Sequence, residues 1–431
     1  MYLTVRTAAL DAKRAAITAL GEMARYVGPS FCPYVEPCLK ALIGLLSKEG
    51  ENAASAYLHD GAAIQSEAAD ALSGMVLPAM RAVSSSPQPM EILPPQVHAA
   101  STVAVKALVE LMCATYHKEV CGKCCESLTN ILNSLGVGVF VNNEGVQTQL
   151  MENLKVLLDG TGANIHGLVS PEDDPEGEED DNTHESYLVS VFDLIGTLAK
   201  VYAPSKNPSF TSALHVFMPL ICNYLKPGRS SNDRAMAIGL LGELVEFNVD
   251  SVSSFLESII LPAAMSVCSI NLDEKEYNVQ RNAAYLIGLL CEHTSVARTQ
   301  NHYANMLQAL SPLFTLRMNG SDDNAEVDAL VDNAAAAVCR MITANAALVP
   351  LPNVLPTLLK CLPLREDMTE HKTVFQCLLH SLPLTNDESY KNELKRICAA
   401  FVNDADLVKS SADDVELRGL LEQVHAALGQ L

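Results

Sequence analysis

The stretch Glu276–Ser295, EYNVQRNAAYLIGLLCEHTS, sets Val279, Ala283, Ile287 and Leu290 at three- and four-residue steps, with Ala284 and Leu286 beside them. That spacing places them on one face of an α-helix. Asn278, Asn282, Tyr285 and Glu292 fall on a different face, also at helical steps. The stretch Asn324–Ala344, NAEVDALVDNAAAAVCRMITA, repeats the design, with Val327, Leu330, Ala334, Val338 and Met341 expected inward. Its polar line is Glu326, Asn333 and Arg340. Small residues at both centres let neighbouring helices come close. The two stretches are predicted to be equivalent inner helices of adjacent repeats.

Periodicity predicts further helices along the chain, with hardly any strand signal. They run over Val5–Tyr26, with Ala16, Leu20 and Met23 on one face, then Phe31–Leu46, Gly61–Met80 and Val97–Tyr116. Next come Glu119–Gly136, Asn143–Leu158, a helix resuming at His184, Phe210–Leu225, Asn232–Phe247 and Val252–Val267. After the pair described above follow Asn353–Leu362, Thr369–Leu382, Asp387–Phe401 and Ala412–Leu428. The prolines of Phe31–Leu46 are expected in its first turns, where they are tolerated.

Comparable helices share a local signature: TALGEMA at Thr18, GLLGELV at Gly239 and YLIGLLC at Tyr285. Gly242 and Gly288 lie 46 residues apart, and Asn282 and Asn333 lie 51 apart. Helix pairs recurring every ~40–47 residues mark HEAT or armadillo arrays. The expected fold is therefore all-α, an α-solenoid of HEAT-like repeats, each burying its apolar face only by stacking on its neighbours. About eight to nine repeats fit this length.

A length of 431 residues is too great for one compact core. The apolar share of 49% supports a folded chain, while aromatics at 5% and the lack of tryptophan suit Ala- and Leu-rich helix packing. A formal charge of −22 argues against gripping a phosphate backbone and favours basic polypeptide partners. The first residues, MYLTVRTAALDAKRAA, lack the apolar core of a secretory signal, and no uninterrupted apolar run of about 18 residues would span a bilayer. Thirteen cysteines scattered through apolar helical pattern suit reduced thiols.

Composition breaks at 160–183, which separates predicted repeats over 1–159 from those over 184–431. Eight of the ten residues from Glu172 to Asp181 are acidic: Glu172, Asp173, Asp174, Glu176, Glu178, Glu179, Asp180 and Asp181. Self-repulsion is expected to keep this insert unfolded. It either engages basic ligands loosely, fading over a Debye length of roughly 8 Å, or serves as a solubilising insert.

The segments DAKRAAITALGEMARYVGPSFCPYVEP, EYNVQRNAAYLIGLLCEH, VDNAAAAVCRMI and VLPTLLKCLPLREDMTEHKTVFQCLL resemble, in order, the C-terminal half of importin-β-type karyopherins, of the importin-four type. The acidic insert ahead of YLVSVFDLIGTLAK also sits where that family carries one. The resemblance covers most of the chain. It implies nuclear import by a receptor shuttling between cytoplasm and nucleus. Basic cargo such as histones or ribosomal proteins would lie on a concave surface, within the 184–431 repeats. Nucleoporins and the Ran GTPase would be further partners, Ran through an N-terminal half that this chain lacks, and neither nucleic acid nor membrane would bind directly. No cofactor is implied.

A lysine-rich peptide needs carboxylates around its ammonium groups and side-chain amides for its backbone. Asn282 and Asn333, in the motifs RNAA and DNAA, match asparagines that the family turns inward to hold peptide; an inter-repeat hydrogen bond is the alternative. Asn278 and Tyr285 share the polar face of Asn282. Asp322, Asp323, Glu326, Glu292, Glu366, Asp367 and Glu370 are the carboxylate candidates, with helix capping or a solvated face as their alternative. Glu243 and Glu246 stand further back. Cys113, His117, Cys121, Cys124 and Cys125 suggest zinc, but no second knuckle follows, and buried thiols are expected instead. No phosphate loop, HExxH or GxSxG occurs, so an enzyme is not expected. The rival function is a HEAT scaffold or adaptor that binds folded partners, of the phosphatase-scaffold or trafficking kind.

Overall fold

A computed structural model describes residues 2–46, 59–83, 90–115, 117–161, 179–269, 276–319, 324–384, 388–403 and 415–429. Among these residues helices and turns account for the ordered structure, and no strand occurs. The predicted all-α solenoid class is observed, and the chain divides into two units, Met1–Asn223 and Tyr224–Leu431.

In the first unit, α1 (Tyr2–Val27), α3 (His59–Met75), α6 (Lys118–Leu135) and α8 (Glu179–Tyr202) lie side by side in one layer. A second layer is formed by α2 (Cys32–Leu46), α5 (Pro95–Ala114), α7 (Glu144–Asp159) and α9 (Pro208–Asn223), and the short α4 (Leu77–Val83) packs near α1. In the second unit one layer contains α10 (Ser231–Val252), α12 (Tyr277–His293), α15 (Ala325–Asn345), α17 (His371–Ser381) and α19 (Val415–Gly429). Its other layer holds α11 (Leu261–Cys268), α14 (Tyr303–Asn319), α16 (Leu351–Lys360) and α18 (Glu388–Asn403), with α13 (Val296–Thr299) as a connector.

The three signature helices all fall in the first-named layer of their unit. The glycine of each signature faces the next helix of that layer. A Cβ on Gly21 would lie 3.1 Å from the Ala71 Cα, one on Gly242 would lie 3.5 Å from Tyr285, and one on Gly288 would lie 3.0 Å from the Ala337 Cα. Val279, Ala283, Ile287 and Leu290 are buried as expected, and so are Leu330, Ala334, Val338 and Met341. Burial extends beyond one face of α15, because α12 and α17 flank it and α14 lies beneath; Ala334 to Ala337 are all fully buried.

Local chemistry sets the helix ends. The Ser230 hydroxyl accepts from the Asp233 N–H to cap α10, and the Asn324 side chain accepts from Glu326 and Val327 to cap α15. Helix α7 ends at Gly160, whose φ of +74° is the left-handed conformation glycine adopts freely. Pro37, Pro219, Pro312 and Pro356 lie inside helices, and all four of those helices belong to the second-named layer of their unit. Pro37 thus departs from the expected first-turn placement.

Other expectations need correction. In α1 the face carrying Ala16 and Met23 is exposed, and Ile17, Gly21 and Ala24 are buried, because α3 packs on that side. The single helix expected over Gly61–Met80 breaks at Val76, with Pro78 in the first turn of α4. The helix expected over Val252–Val267 becomes a 3₁₀ turn at Ser253–Phe255, a π turn at Leu256–Ile260 and then α11. Pro262 has no N–H to continue an α ladder, and the Leu261 N–H donates to the Leu256 carbonyl instead. Helix α14 is one that periodicity does not single out. Helix α8 starts at Glu179, so Glu179, Asp180 and Asp181 belong to its first turn rather than to an unfolded insert. Helix α5 and the run Ser231–Cys268 are long and apolar enough to cross a membrane by length and composition. Their Val105, Leu108, Leu241 and Leu244 are instead buried among neighbouring helices.

Candidate functional site

The close approach of α12 to α15 at Gly288 and Ala337 brings their polar lines together with α10 and the turn before α17. The Tyr285 hydroxyl on α12 donates to Glu246 on α10 at 3.3 Å, and the Arg340 guanidinium of α15 lies 5.3 Å from the Tyr285 ring centre. Arg340 Nε donates to Glu292 of α12 at 2.7 Å, and its two terminal nitrogens meet Glu370 at 2.9 and 3.0 Å. One cation thus ties α12, α15 and the start of α17. Its side chain is 11% exposed and that of Glu370 7%, so the pair is nearly dry. Burial opposes the Arg340 charge, but the carboxylates of Glu370 and Glu292 outweigh it and raise the pKa. Burial, with the Glu246 charge second, pushes the Tyr285 phenol up, so it remains a donor.

A second cluster centres on Asp332, which is fully buried. One carboxylate oxygen accepts from Arg317 at 2.7 Å. The other accepts three successive backbone N–H groups, from Arg365 at 2.8 Å, Glu366 at 2.7 Å and Asp367 at 3.0 Å. Such consecutive amides form an anion-binding nest, here filled by the chain's own carboxylate. Arg317 also donates to Asp328 at 2.7 Å and to the Cys361 carbonyl at 2.9 Å, joining α14, α15 and the end of α16.

The sequence candidates divide accordingly. Asn282 donates to the Ala235 carbonyl on α10 at 2.8 Å and lies over Gly239, where an added Cβ would come within 3.1 Å of its nitrogen. Asn333 donates to the Ala329 carbonyl and to Asp367, both at 3.0 Å. Both asparagines therefore make the inter-repeat or local bonds given above as the alternative. Glu370 is buried, Glu292 is partnered by Arg340, and Asp367 accepts from Asn333 and Thr369. Asn278, Glu326 and Glu366 are exposed. Glu246 accepts from Tyr285, and Glu243 is exposed. Asp322, Asp323, Glu172, Asp173, Asp174, Glu176 and Glu178 lie outside the described residues. Asp328, Asp332 and Arg317 were not singled out from sequence, although the Asp before Asn333 in DNAA, at a helix centre, carries a signal of its own.

Cys121, Cys124 and Cys125 are buried within α6 and Cys113 is half-buried on α5. Burial pushes the Cys113 thiol up to about 12, and Cys121 and Cys124 lie well above the usual thiol range. Cys113, Cys121 and Cys124 are thus held as thiols, and His117 stands at the α6 N-cap without a side-chain capping bond. A groove of about 620 Å³ opens between α16 and α18, lined by Leu351, Pro352, Leu355, Leu359 and Tyr390. It is mostly apolar.

No family model matches the chain. The probable importin subunit beta-4 of Schizosaccharomyces pombe is 29% identical over 391 residues, which cover 87% of this chain and 33% of that protein. Importin-4 of Homo sapiens is 26% identical over 407 residues, covering 93% of this chain and 34% of that protein. Over most of its length the chain is thus similar to importin-β-type proteins. It spans about a third of the length of these importin-β relatives. Among solved structures, Kap121p bound to Nup53p matches with a TM-score of 0.70 at 18% identity, over 99% of this chain and 35% of that one. Kap121p bound to RanGTP matches with a TM-score of 0.62 at 18% identity, over 98% and 37%. The shared fold is the karyopherin helical solenoid. These importin-β relatives are transport receptors rather than enzymes.

Proposed function

We propose that the chain is a cargo-binding segment of a nuclear import receptor that shuttles between cytoplasm and nucleus. Lysine-rich segments of basic proteins, such as histones or ribosomal proteins, are its ligands, and the polar side of α12, α15 and the turn at 363–370 is the surface that takes them. The observation that carries this reading is the charge left at that surface. Glu292, Glu326 and Glu366 are exposed and Asp367 is half-buried, whereas the main cation, Arg340, is enclosed by its own carboxylates. Arg365 is exposed but lies 3.3 Å from Asp328. An ammonium group approaching this side meets the carboxylates of Glu326 and Glu366, while Glu292 is already paired with Arg340. Kap121p, of the same fold, is seen with Nup53p, with the SUMO protease Ulp1p and with RanGTP. By this analogy a nucleoporin and GTP-bound Ran are further partners of the whole receptor.

The test is a titration of the chain with a histone-tail peptide at two salt concentrations. Saturable binding that weakens with salt supports the reading, because contacts of this kind are screened. A chain that ignores the peptide at low salt would instead behave as a scaffold for folded partners, and the import reading of this surface would fall.

A further inference from the structure

We propose that Asp332, which no ligand can reach, is the positioning residue of this acidic surface. The inference rests on the basic-peptide reading above and deepens it. The turn 363–370 joins α16 to α17 and carries Glu366 and Asp367, two of the carboxylates at the surface. A short turn of this kind holds its side chains in one place only if its backbone is fixed. Asp332 fixes it: three consecutive N–H groups, those of Arg365, Glu366 and Asp367, converge on one of its oxygens, and Arg317 holds the other. The next residue on the helix, Asn333, then takes one oxygen of Asp367, and Thr369 takes the other. The DNAA motif is thus a two-residue clasp, Asp332 on the backbone of the turn and Asn333 on its side chain. Its counterpart RNAA has Arg281 where Asp332 stands, and its Asn282 holds a helix carbonyl rather than a turn. The clasp therefore belongs to α15 alone of the two. Preorganised carboxylates bind more tightly than mobile ones because their ordering cost is met on folding.

The test uses the whole chain and a synthetic lysine-rich peptide followed by fluorescence anisotropy. Asp332→Asn is expected to weaken binding about fivefold, the worth of one well-placed ionic contact. In a Glu366→Gln/Asp367→Asn background the same change should have little further effect, a coupling that a general loss of stability would not produce. Should Asp332→Asn fail to fold, Arg365→Pro and Arg365→Gln decide the matter. Both remove the Arg365 charge, but only proline removes the N–H that Asp332 accepts. Arg365→Gln should bind as well as the parent or better, and Arg365→Pro about fivefold worse. Equal binding by these two variants overturns the positioning role while leaving the surface reading standing. A parent chain that does not bind the peptide overturns both.

Discussion

Gly288 and Ala337 bring two helix backbones into contact: a Cβ on Gly288 would stand 3.0 Å from the Ala337 Cα and 3.0 Å from the Arg340 Cδ. The neighbour is mainly backbone and cannot yield. Gly288→Ala should cost about 1–3 kcal/mol as overpacking, more than the ~1 kcal/mol that alanine gains over glycine in a helix. Gly44 on α2 is the control, since an added Cβ there meets nothing within 4 Å. Gly44→Ala should raise stability by about 0.5–1 kcal/mol. Thermal melts of the two variants should shift in opposite directions; a shared direction refutes the close-contact argument.

Arg340 and Glu370 form a nearly buried pair. Arg340→Met leaves Glu370 charged and enclosed, and should cost about 3–5 kcal/mol. The double variant Arg340→Met/Glu370→Met removes both charges and should recover most of that loss, because apolar replacements of a buried pair are often neutral. Denaturant melts of the three chains check this. A double variant as unstable as the single one would show that packing, not charge, holds the site together.

The Asn282 amide donates to the Ala235 carbonyl on the neighbouring helix. Asn282→Ala should lower stability by about 1 kcal/mol and leave the affinity for a basic peptide unchanged. Asn333→Ala should lower both, because it also releases Asp367. Melting and peptide titration on the same preparations separate the two residues.

Although Asp193 is exposed, desolvation by its neighbours, with the Glu126 charge second, holds its carboxyl above its ordinary value. A carboxyl with a raised folded pKa binds its proton more tightly in the folded state, so its contribution is lost as pH rises through the folded value. Asp193→Asn should therefore stabilise the chain at pH 7 and give no advantage at acid pH, where Asp193 is protonated. Melting points of both chains across that range test the sign.

The repeat architecture was legible because it rests on spacing. Val279, Ala283, Ile287 and Leu290 are core because α-helical geometry leaves them no other face. The glycine signatures were legible for the same reason, each marking a contact with the next helix. What spacing could not tell was how polar residues pair. Asn282 and Glu292 look free along one helix, and only the adjacent α10 and α15 supply Ala235 and Arg340. The burial of Asp332 likewise depends on a turn more than thirty residues later. Helix α14 escaped detection because Pro312 interrupts its pattern, and the start of α8 because acidic composition reads as disorder.

The ties along the helical layers all join near neighbours in sequence. Arg25 reaches Asp70 45 residues on, Asn282 reaches Ala235 47 residues back and Arg340 reaches Glu292 48 residues back. Among the described residues nothing comparable staples one end of a unit to the other end. A chain wired in this way has no single bolt whose failure releases everything. Pulled from its ends in an optical trap, each unit should peel one helical pair at a time, lengthening in small successive steps rather than in one rip.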